Sequence, residues 1–287
     1  MREKITFIGG DMRTLAAAER MAENGFECAV FGFDGAMTVP ESLTRTDDME
    51  SAMEKALAVV LPVPSSVDKL RINCSFSEKE IYLVSVLSNL KENQLLIGGM
   101  LDKKIREIHE RMADVNERED FRLLNAVPTA EGAIGIAMEE LPVTIQDSRT
   151  SVLGFGRIGK ALSFRLKALG SFVTVCSDDV DELAFAESYG FDTIPLDMVT
   201  EACADKDCVF NTIPSPVVDD GVLAEVSPFT LMIDLASRPG GIDRDSAAER
   251  NIKTVWALGL PGKTSPTTAG RIIQKTVINI LREEGIV

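Results

Sequence analysis

Short apolar runs alternate with stretches of helical periodicity along the whole chain, the pattern of βαβ units and of parallel sheets. The first half predicts strands at Lys4–Ile8, Glu27–Phe33, Ala58–Pro62, Gln94–Gly98 and Phe121–Asn125. Helices are predicted between them at Arg13–Asn24, Met49–Ala56 (a weak one), Glu78–Glu92 and Asp102–Val115. This is an α/β, doubly wound, flavodoxin-like layout. Gly25 sits where a left-handed cap closes the first helix. A helix over Thr129–Glu140 follows, with Thr129 as its N-cap and Glu131 and Gly132 in its first turn, and Pro142 stops it. A boundary is placed there, giving a first, substrate or catalytic domain over residues 1–142.

The second half is more regular. Strands are predicted at Thr150–Leu153, Phe172–Cys176, Phe191–Ile194, Cys208–Ile213, Leu231–Ala236 and Lys253–Leu258. Helices are predicted at Ile158–Leu169, Asp181–Tyr189, Asp197–Ala204 and Asp243–Arg250, with Gly170 closing the first of these. The pattern predicts a Rossmann domain over 143–265 with strand order 3-2-1-4-5-6. A last helix, Pro266–Glu284, carries Ile272, Ile273, Val277, Ile280 and Leu281 at helical spacing and is expected to pack back on the first domain.

Length agrees with two domains, since 287 residues exceed what one core usually organises. The net charge of −15 repels phosphate backbones, so nucleic acid is not an expected partner. It leaves small anions possible, because they respond to the local field of a pocket. No run of apolar residues is long enough to span a bilayer, and the amino terminus reads as a first strand rather than a signal peptide. A cytoplasmic setting and a homo-oligomer are the expectations. The five cysteines form no C-x-x-C pair and only one histidine is present, which argues against zinc. Cys28 and Cys176 lie in apolar strands and read as buried, inert thiols.

Gly154-Phe155-Gly156-Arg157-Ile158-Gly159 fits G-x-G-x-x-G between a predicted strand and a predicted helix. Gly154 allows the tight turn, Gly156 lets a diphosphate approach the backbone, and Gly159 lets helix and strand pack closely. The orphan N–H groups and the helix dipole then hold the anion. Asp178, with Ser177 before it and Asp179 beside it, stands where an acid takes the ribose hydroxyls. A carboxylate there repels a 2′-phosphate, which favours NAD over NADP. Arg157 either assists the diphosphate or is solvated. Thr212 and Pro214 complete the cofactor set.

Carbonyl-reducing dehydrogenases commonly use a histidine proton donor. The sole histidine, His109, lies at the edge of the Ile105, Ile108, Met112 stripe and reads as a partly exposed surface residue. A histidine-dependent hydroxyacid dehydrogenase is therefore disfavoured. In open α/β sheets ligands bind beyond the carboxyl ends of the strands. Those loops are Asn211–Ser215, Asp234–Gly241 and Gly259–Lys263, then Ser265–Gly270 opening the last helix. Each also reads as ordinary turn chemistry, and Asn211 and Asp234 also read as structural polar residues. The first domain offers Gly9–Arg13, Leu61–Pro64 and Asn125–Gly132, so an active site in the cleft between the domains is expected. Arg13 and Arg238 are suited to bidentate carboxylate binding, or else to pairing with acids of this chain.

The stretches IGGDMR (Ile8–Arg13), NAVPTAEG (Asn125–Gly132), VLGFGRIG (Val152–Gly159), NTIPS (Asn211–Ser215), DLASRPGG (Asp234–Gly241) and GLPGKTSPTTAG (Gly259–Gly270) resemble, in order and across nearly the whole chain, the family of dipicolinate synthase A subunits of spore-forming bacteria. The resemblance implies NAD(P)-linked oxidation of a dihydrodipicolinate-type intermediate to the aromatic dicarboxylate. It implies a partner, the flavoprotein-like B subunit of dipicolinate synthase, and a mother-cell cytoplasmic setting in sporulation. It also implies a fold shared with hydroxyacid dehydrogenases and adenosylhomocysteinases. Some relatives are expected to carry an arginine after the second Rossmann strand, suited to NADP, whereas Cys176–Asp179 is acidic. On this reading Arg13 and Arg238 clamp the substrate's carboxylates, with Asp11, Gly240 and Gly262 also at the substrate. Ser237, Asn211 or Thr268 binds or relays near the reacting carbon. A reductase of a 2-keto or imino acid, and a non-catalytic nucleotide-binding protein that organises a partner, stand as alternatives.

Overall fold

The computed structural model describes residues 2–35 and 38–287. The chain forms two compact units, one of Met1–Asn125 with Ser265–Val287, the other of Ala126–Thr264. Each is built on its own six-stranded sheet, and every strand pairing is parallel.

In the first unit the strands are β1 (Lys4–Ile8), β2 (Glu27–Phe31), β3 (Thr44–Arg45), β4 (Ala56–Val60), β5 (Leu95–Gly98) and β6 (Met112–Asp114), in the order β3-β2-β1-β4-β5-β6. Without the two-residue edge strand β3, the order is the flavodoxin-like 2-1-3-4-5. Helices cover both faces, so Ile5, Phe7, Val30 and Ile97 are wholly or almost wholly buried. Asp11 caps helix Met12–Glu23 by accepting the Arg13 N–H at 2.9 Å. Helix Pro266–Glu283 packs on that helix, and Ile272, Ile273, Val277, Ile280 and Leu281 join the first unit's core. Gly270 permits the close approach: a Cβ there would stand 2.6 Å from both Ala16 Cβ and the Arg13 carbonyl oxygen. Arg118 fastens the end of the same helix, donating to Glu283 and to Asp120.

Several sequence expectations fail in this unit. Phe121–Asn125 is not a strand but the start of helix Glu119–Glu140, which continues through Pro128. The passage from the first unit to the second accordingly falls at Asn125/Ala126, inside that helix, and not at Pro142. Ala126, Ala130, Ala133, Ile134 and Ala137 form a buried stripe, and this packing outweighs the missing proline N–H. Asp102–Val115 is a short 3-10 turn, Lys103–Glu107, followed by β6. Ile108, read as part of a helical stripe, is exposed. His109 is buried rather than partly exposed, with Nε2 2.8 Å from the Gln94 carbonyl oxygen. It ties the approach to β6 to the residue before β5.

In the second unit the strands are β7 (Arg149–Leu153), β8 (Phe172–Ser177), β9 (Asp192–Pro195), β10 (Cys208–Asn211), β11 (Leu231–Asp234) and β12 (Thr254–Trp256). Their order, β12-β11-β10-β7-β8-β9, is the Rossmann order 3-2-1-4-5-6 read from the other edge. Val152, Val175, Phe210 and Ile233 fill its core. Burial pushes the Cys28, Cys176 and Cys203 thiols up to about 12, so they stay protonated and inert near neutrality. Among the described residues no helix is long and apolar enough to cross a membrane, and no cluster of His, Cys, Asp or Glu is arranged to hold a metal.

Candidate functional site

The first strand of each sheet runs into a glycine turn and a helix, but only one of the two turns is open. In the second unit β7 passes into Gly154, at φ +86°, whose N–H donates to the Cys176 carbonyl at 2.7 Å. A Cβ on Gly154 would collide with Thr212 Oγ1 at 2.5 Å, and one on Gly159 would stand 2.0 Å from the Gly154 carbonyl oxygen. Those two glycines close the turn. Gly156 differs, since a Cβ there would meet nothing within 4 Å. It caps helix Arg157–Ala168 without any side-chain hydrogen bond, so no side chain of the cap covers the helix's first N–H groups. Open space at a glycine on a helix N-terminus fits a dinucleotide diphosphate.

In the first unit Gly9 makes the matching hydrogen bond, donating to Phe31 at 2.8 Å. There a Cβ would strike Ile72 Cγ2 at 2.8 Å and the Asn73 carbonyl oxygen at 3.0 Å. Ser75 N–H donates to Gly10, and Cys74 bridges to it. The chain itself fills that mouth.

The sequence-predicted cofactor residues divide by role. Phe155 is wholly buried, with its ring edge-on to Phe191 at 5.9 Å, so its side chain belongs to the core. Ile158 is half-buried beside that core, and Arg157 and Pro214 are exposed. Thr212 Oγ1 is committed to the Leu153 carbonyl at 2.9 Å and braces the turn. Ser177 donates its hydroxyl to Glu182 at 2.7 Å, and Asp179 caps helix Val180–Ser188. Asp178 is left as the exposed acid at the end of β8.

Past the switch point between β7 and β10, the loops are held by buried polar groups. The Asn211 amide donates to the Ile213 carbonyl at 3.0 Å and to Asp234 Oδ1 at 2.8 Å, and its oxygen accepts the Ile213 N–H. Every polar atom of the Asn211 side chain is engaged in this bracket. Asp234, 1% exposed, also accepts the Ala236 and Gly241 N–H groups. These bonds, with the Gly240 N–H to Ser237 carbonyl turn at 2.8 Å, shape the Ser237–Gly241 loop, in which Gly240 takes φ +90°. Ser237 and Arg238 project from it exposed. Trp256, at the end of β12, donates its indole N–H to the Ala236 carbonyl at 2.9 Å. Arg238 and Arg244 lie over its ring, at 5.8 and 4.1 Å. Trp256 and Arg244 escape a sequence reading; the available signal is the chain's single tryptophan at the end of its last strand.

Other expected substrate residues fare differently. Asp11 and Arg13 chelate one another, Nε to both carboxylate oxygens at 3.0 Å and one terminal nitrogen at 2.8 Å. Asp11 is thus the ion-pair partner of Arg13. Gly262 lies in a short helix, Leu260–Thr264, rather than a loop. Thr268 and Arg13 belong to the first unit; Ser237, Arg238, Gly240 and Gly262 belong to the second.

Comparisons with known proteins bear on the family and the fold. Residues 4–114 match a family model described as the N-terminal domain of the dipicolinate synthase A subunit. Residues 149–237 match one described as NADP oxidoreductase, coenzyme F420-dependent, which marks the second unit as an oxidoreductase-type nucleotide domain. The A subunit of dipicolinate synthase from Bacillus subtilis (strain 168) is 31% identical over 98% of this chain and 96% of its own length. The crystal structure of the same protein from Bacillus halodurans superimposes with a TM-score of 0.88 at 30% identity, over 97% of each chain. The Bacillus subtilis crystal structure gives the same score and identity, over 99% of this chain and 97% of its own.

Proposed function

From the premise that this chain belongs to the family of dipicolinate synthase A subunits, we propose that it oxidises a dihydrodipicolinate-type intermediate to dipicolinate with a nicotinamide dinucleotide. The observation that carries this is the open Gly156 turn beside a rigidly bracketed Ser237–Arg238 loop on one sheet edge. The parallel strands β7, β10, β11 and β12 end on that same edge. Adjacent strands lie about 4.8 Å apart, so a dinucleotide with its diphosphate at Gly156 reaches the loop two strands away.

The bound dinucleotide supplies a hydride acceptor. The substrate loses that hydride and one proton, and the ring becomes aromatic, which supplies much of the driving force. This suits a site without an available histidine. The bracket of Asn211 and Asp234 fixes where Ser237 and Arg238 stand. Arg238 binds a substrate carboxylate through N–H groups that no acid of the chain occupies among the described residues. Ser237, an exposed hydroxyl at the tip of the turn, binds near the reacting carbon or passes its proton to water. Asp178 receives the ribose hydroxyls, which makes NAD the cofactor. The chain works with a flavoprotein-like B subunit in the mother-cell cytoplasm of a sporulating bacterium.

The test is formation of reduced cofactor by the purified chain, with and without that partner, given freshly made condensation product of aspartate semialdehyde and pyruvate. NADH formation is expected. No turnover under either condition, or turnover only with simple 2-keto acids, overturns the proposal.

A further inference from the structure

A chain of net charge −15 has carboxylates to spare for its arginines. Arg71, Arg118 and Arg149 are each held by an acid. Arg238 and Arg244 are not; among the described residues each makes neither an ion pair nor a hydrogen bond, and each is instead set against Trp256. Two guanidiniums that share one indole repel each other, and the ring quadrupole offsets only part of that. The acid next to Arg244, Asp243, is committed elsewhere: it caps its helix through the Ser246 N–H at 3.1 Å and the Ser246 hydroxyl at 2.8 Å. Asp245, on the other side, is exposed.

The ring also fixes where both cations stand. The Trp256 indole N–H is tied to Ala236, the residue that opens the Ser237–Arg238 loop. A Cβ on Gly240 would lie 3.6 Å from Trp256 Cε2, so the far side of the loop rests on the same ring. Near the ring, both guanidiniums keep N–H groups that no other described residue bonds, and such groups grip a carboxylate with two parallel hydrogen bonds.

We infer that Arg238 and Arg244, both carried on Trp256, form a two-guanidinium receptor for a small planar diacid, one guanidinium to each carboxylate. The inference rests on the function proposed above and adds to it: Arg244 becomes a second substrate-binding residue, and recognition of both carboxylates is assigned to the second unit. It sets the specificity of the site, because a monoacid leaves one cation unpaired.

Trp256 is the only tryptophan, so its fluorescence reports directly on this site. The full chain is titrated with pyridine-2,6-dicarboxylate and with pyridine-2-carboxylate, and dinucleotide binding is measured separately by calorimetry. The expected result is a saturable change in tryptophan emission with the diacid and an affinity for the monoacid about tenfold weaker or worse. Arg244→Gln and Arg238→Gln should each weaken the diacid by about tenfold or more, with dinucleotide affinity held within about twofold. Arg244→Lys, which keeps the charge but loses the fork, should fall between. An Arg244→Gln chain that binds the diacid as tightly as wild type, or a wild-type chain that does not bind it, overturns the receptor. Neither result touches the oxidation itself, which stands or falls on turnover by the wild-type chain.

Discussion

The Asn211 side-chain amide donates to the Asp234 carboxylate at 2.8 Å, and both residues are buried at the carboxyl ends of neighbouring strands. Asp234 takes two backbone N–H groups as well. Asp234→Ala would leave three buried donors unsatisfied at once. We expect it to cost about 2–4 kcal/mol of stability, read as a lowered midpoint of denaturant unfolding. Asn211→Ala should cost less, because both Asp234 oxygens keep a backbone N–H donor and only the Ile213 N–H and carbonyl lose their side-chain partner. Equal and negligible costs would show that the bracket does not hold the loops.

The second and third glycines of the dinucleotide turn, Gly156 and Gly159, should separate binding from folding. Gly156→Ala adds a methyl group to open space at an ordinary φ of −69°. The thermal midpoint should stay put while dinucleotide affinity drops by about tenfold or more, because the methyl group stands where the diphosphate approaches. Gly159→Ala drives its methyl group into the Gly154 carbonyl and should lower the thermal midpoint.

Cofactor choice should turn on Asp178. Replacing the carboxylate by Ser removes the charge that repels a 2′-phosphate. The ratio of kcat/KM for NADP to that for NAD should rise by about tenfold or more. A wild-type chain that uses both cofactors equally removes the role given to Asp178.

Acid should loosen the C-terminal helix. The Arg118 guanidinium, hydrogen-bonded to both, holds Asp120 and Glu283 below their ordinary values of 3.8 and 4.5. The unfolded chain therefore takes up protons first as pH falls. The stabilisation is complete above the ordinary carboxylate range and is lost on acidification through the depressed folded values. Arg118→Ala should flatten the wild-type fall in stability from about pH 5 down to about pH 3, measured by urea unfolding across that range. The loss at neutral pH should be only modest because the network is partly exposed.

Gly270→Val tests the seam between helices Met12–Glu23 and Pro266–Glu283. Its side chain would enter a contact where even a Cβ has 2.6 Å. Overpacking of this kind costs about 1–3 kcal/mol, and a thermal midpoint unchanged from wild type would show that the helices do not meet at this glycine.

The second sheet was legible almost strand for strand because its apolar runs are bounded by glycine and acidic caps, and its four inner strands, β7, β8, β10 and β11, are buried on both faces. The first sheet was harder to read. β3 and β6 are short edge strands held by their neighbours, and no local pattern announces them. Pro128 argues for a break that the alanine stripe of Glu119–Glu140 overrides once it is packed. At the site, the G-x-G-x-x-G turn was legible because its spacing and its geometry have the same cause. The filling of the Gly9–Gly10 turn by Ile72–Ser75 was not, since those residues lie far downstream in the chain. The stack of Arg244 on Trp256 brings together the ends of separate elements and was equally hidden.

Helix Pro266–Glu283 belongs to the first unit, yet residues 126–264 are made before it. On the ribosome the second sheet therefore has all its strands while the first still lacks the helix that packs beside Leu15, Ala18 and Met21. The order of maturation is the reverse of the usual amino-terminal-first order. The nucleotide domain is ready early, and the nascent first domain keeps an apolar face uncovered, within reach of chaperones, until the last helix emerges.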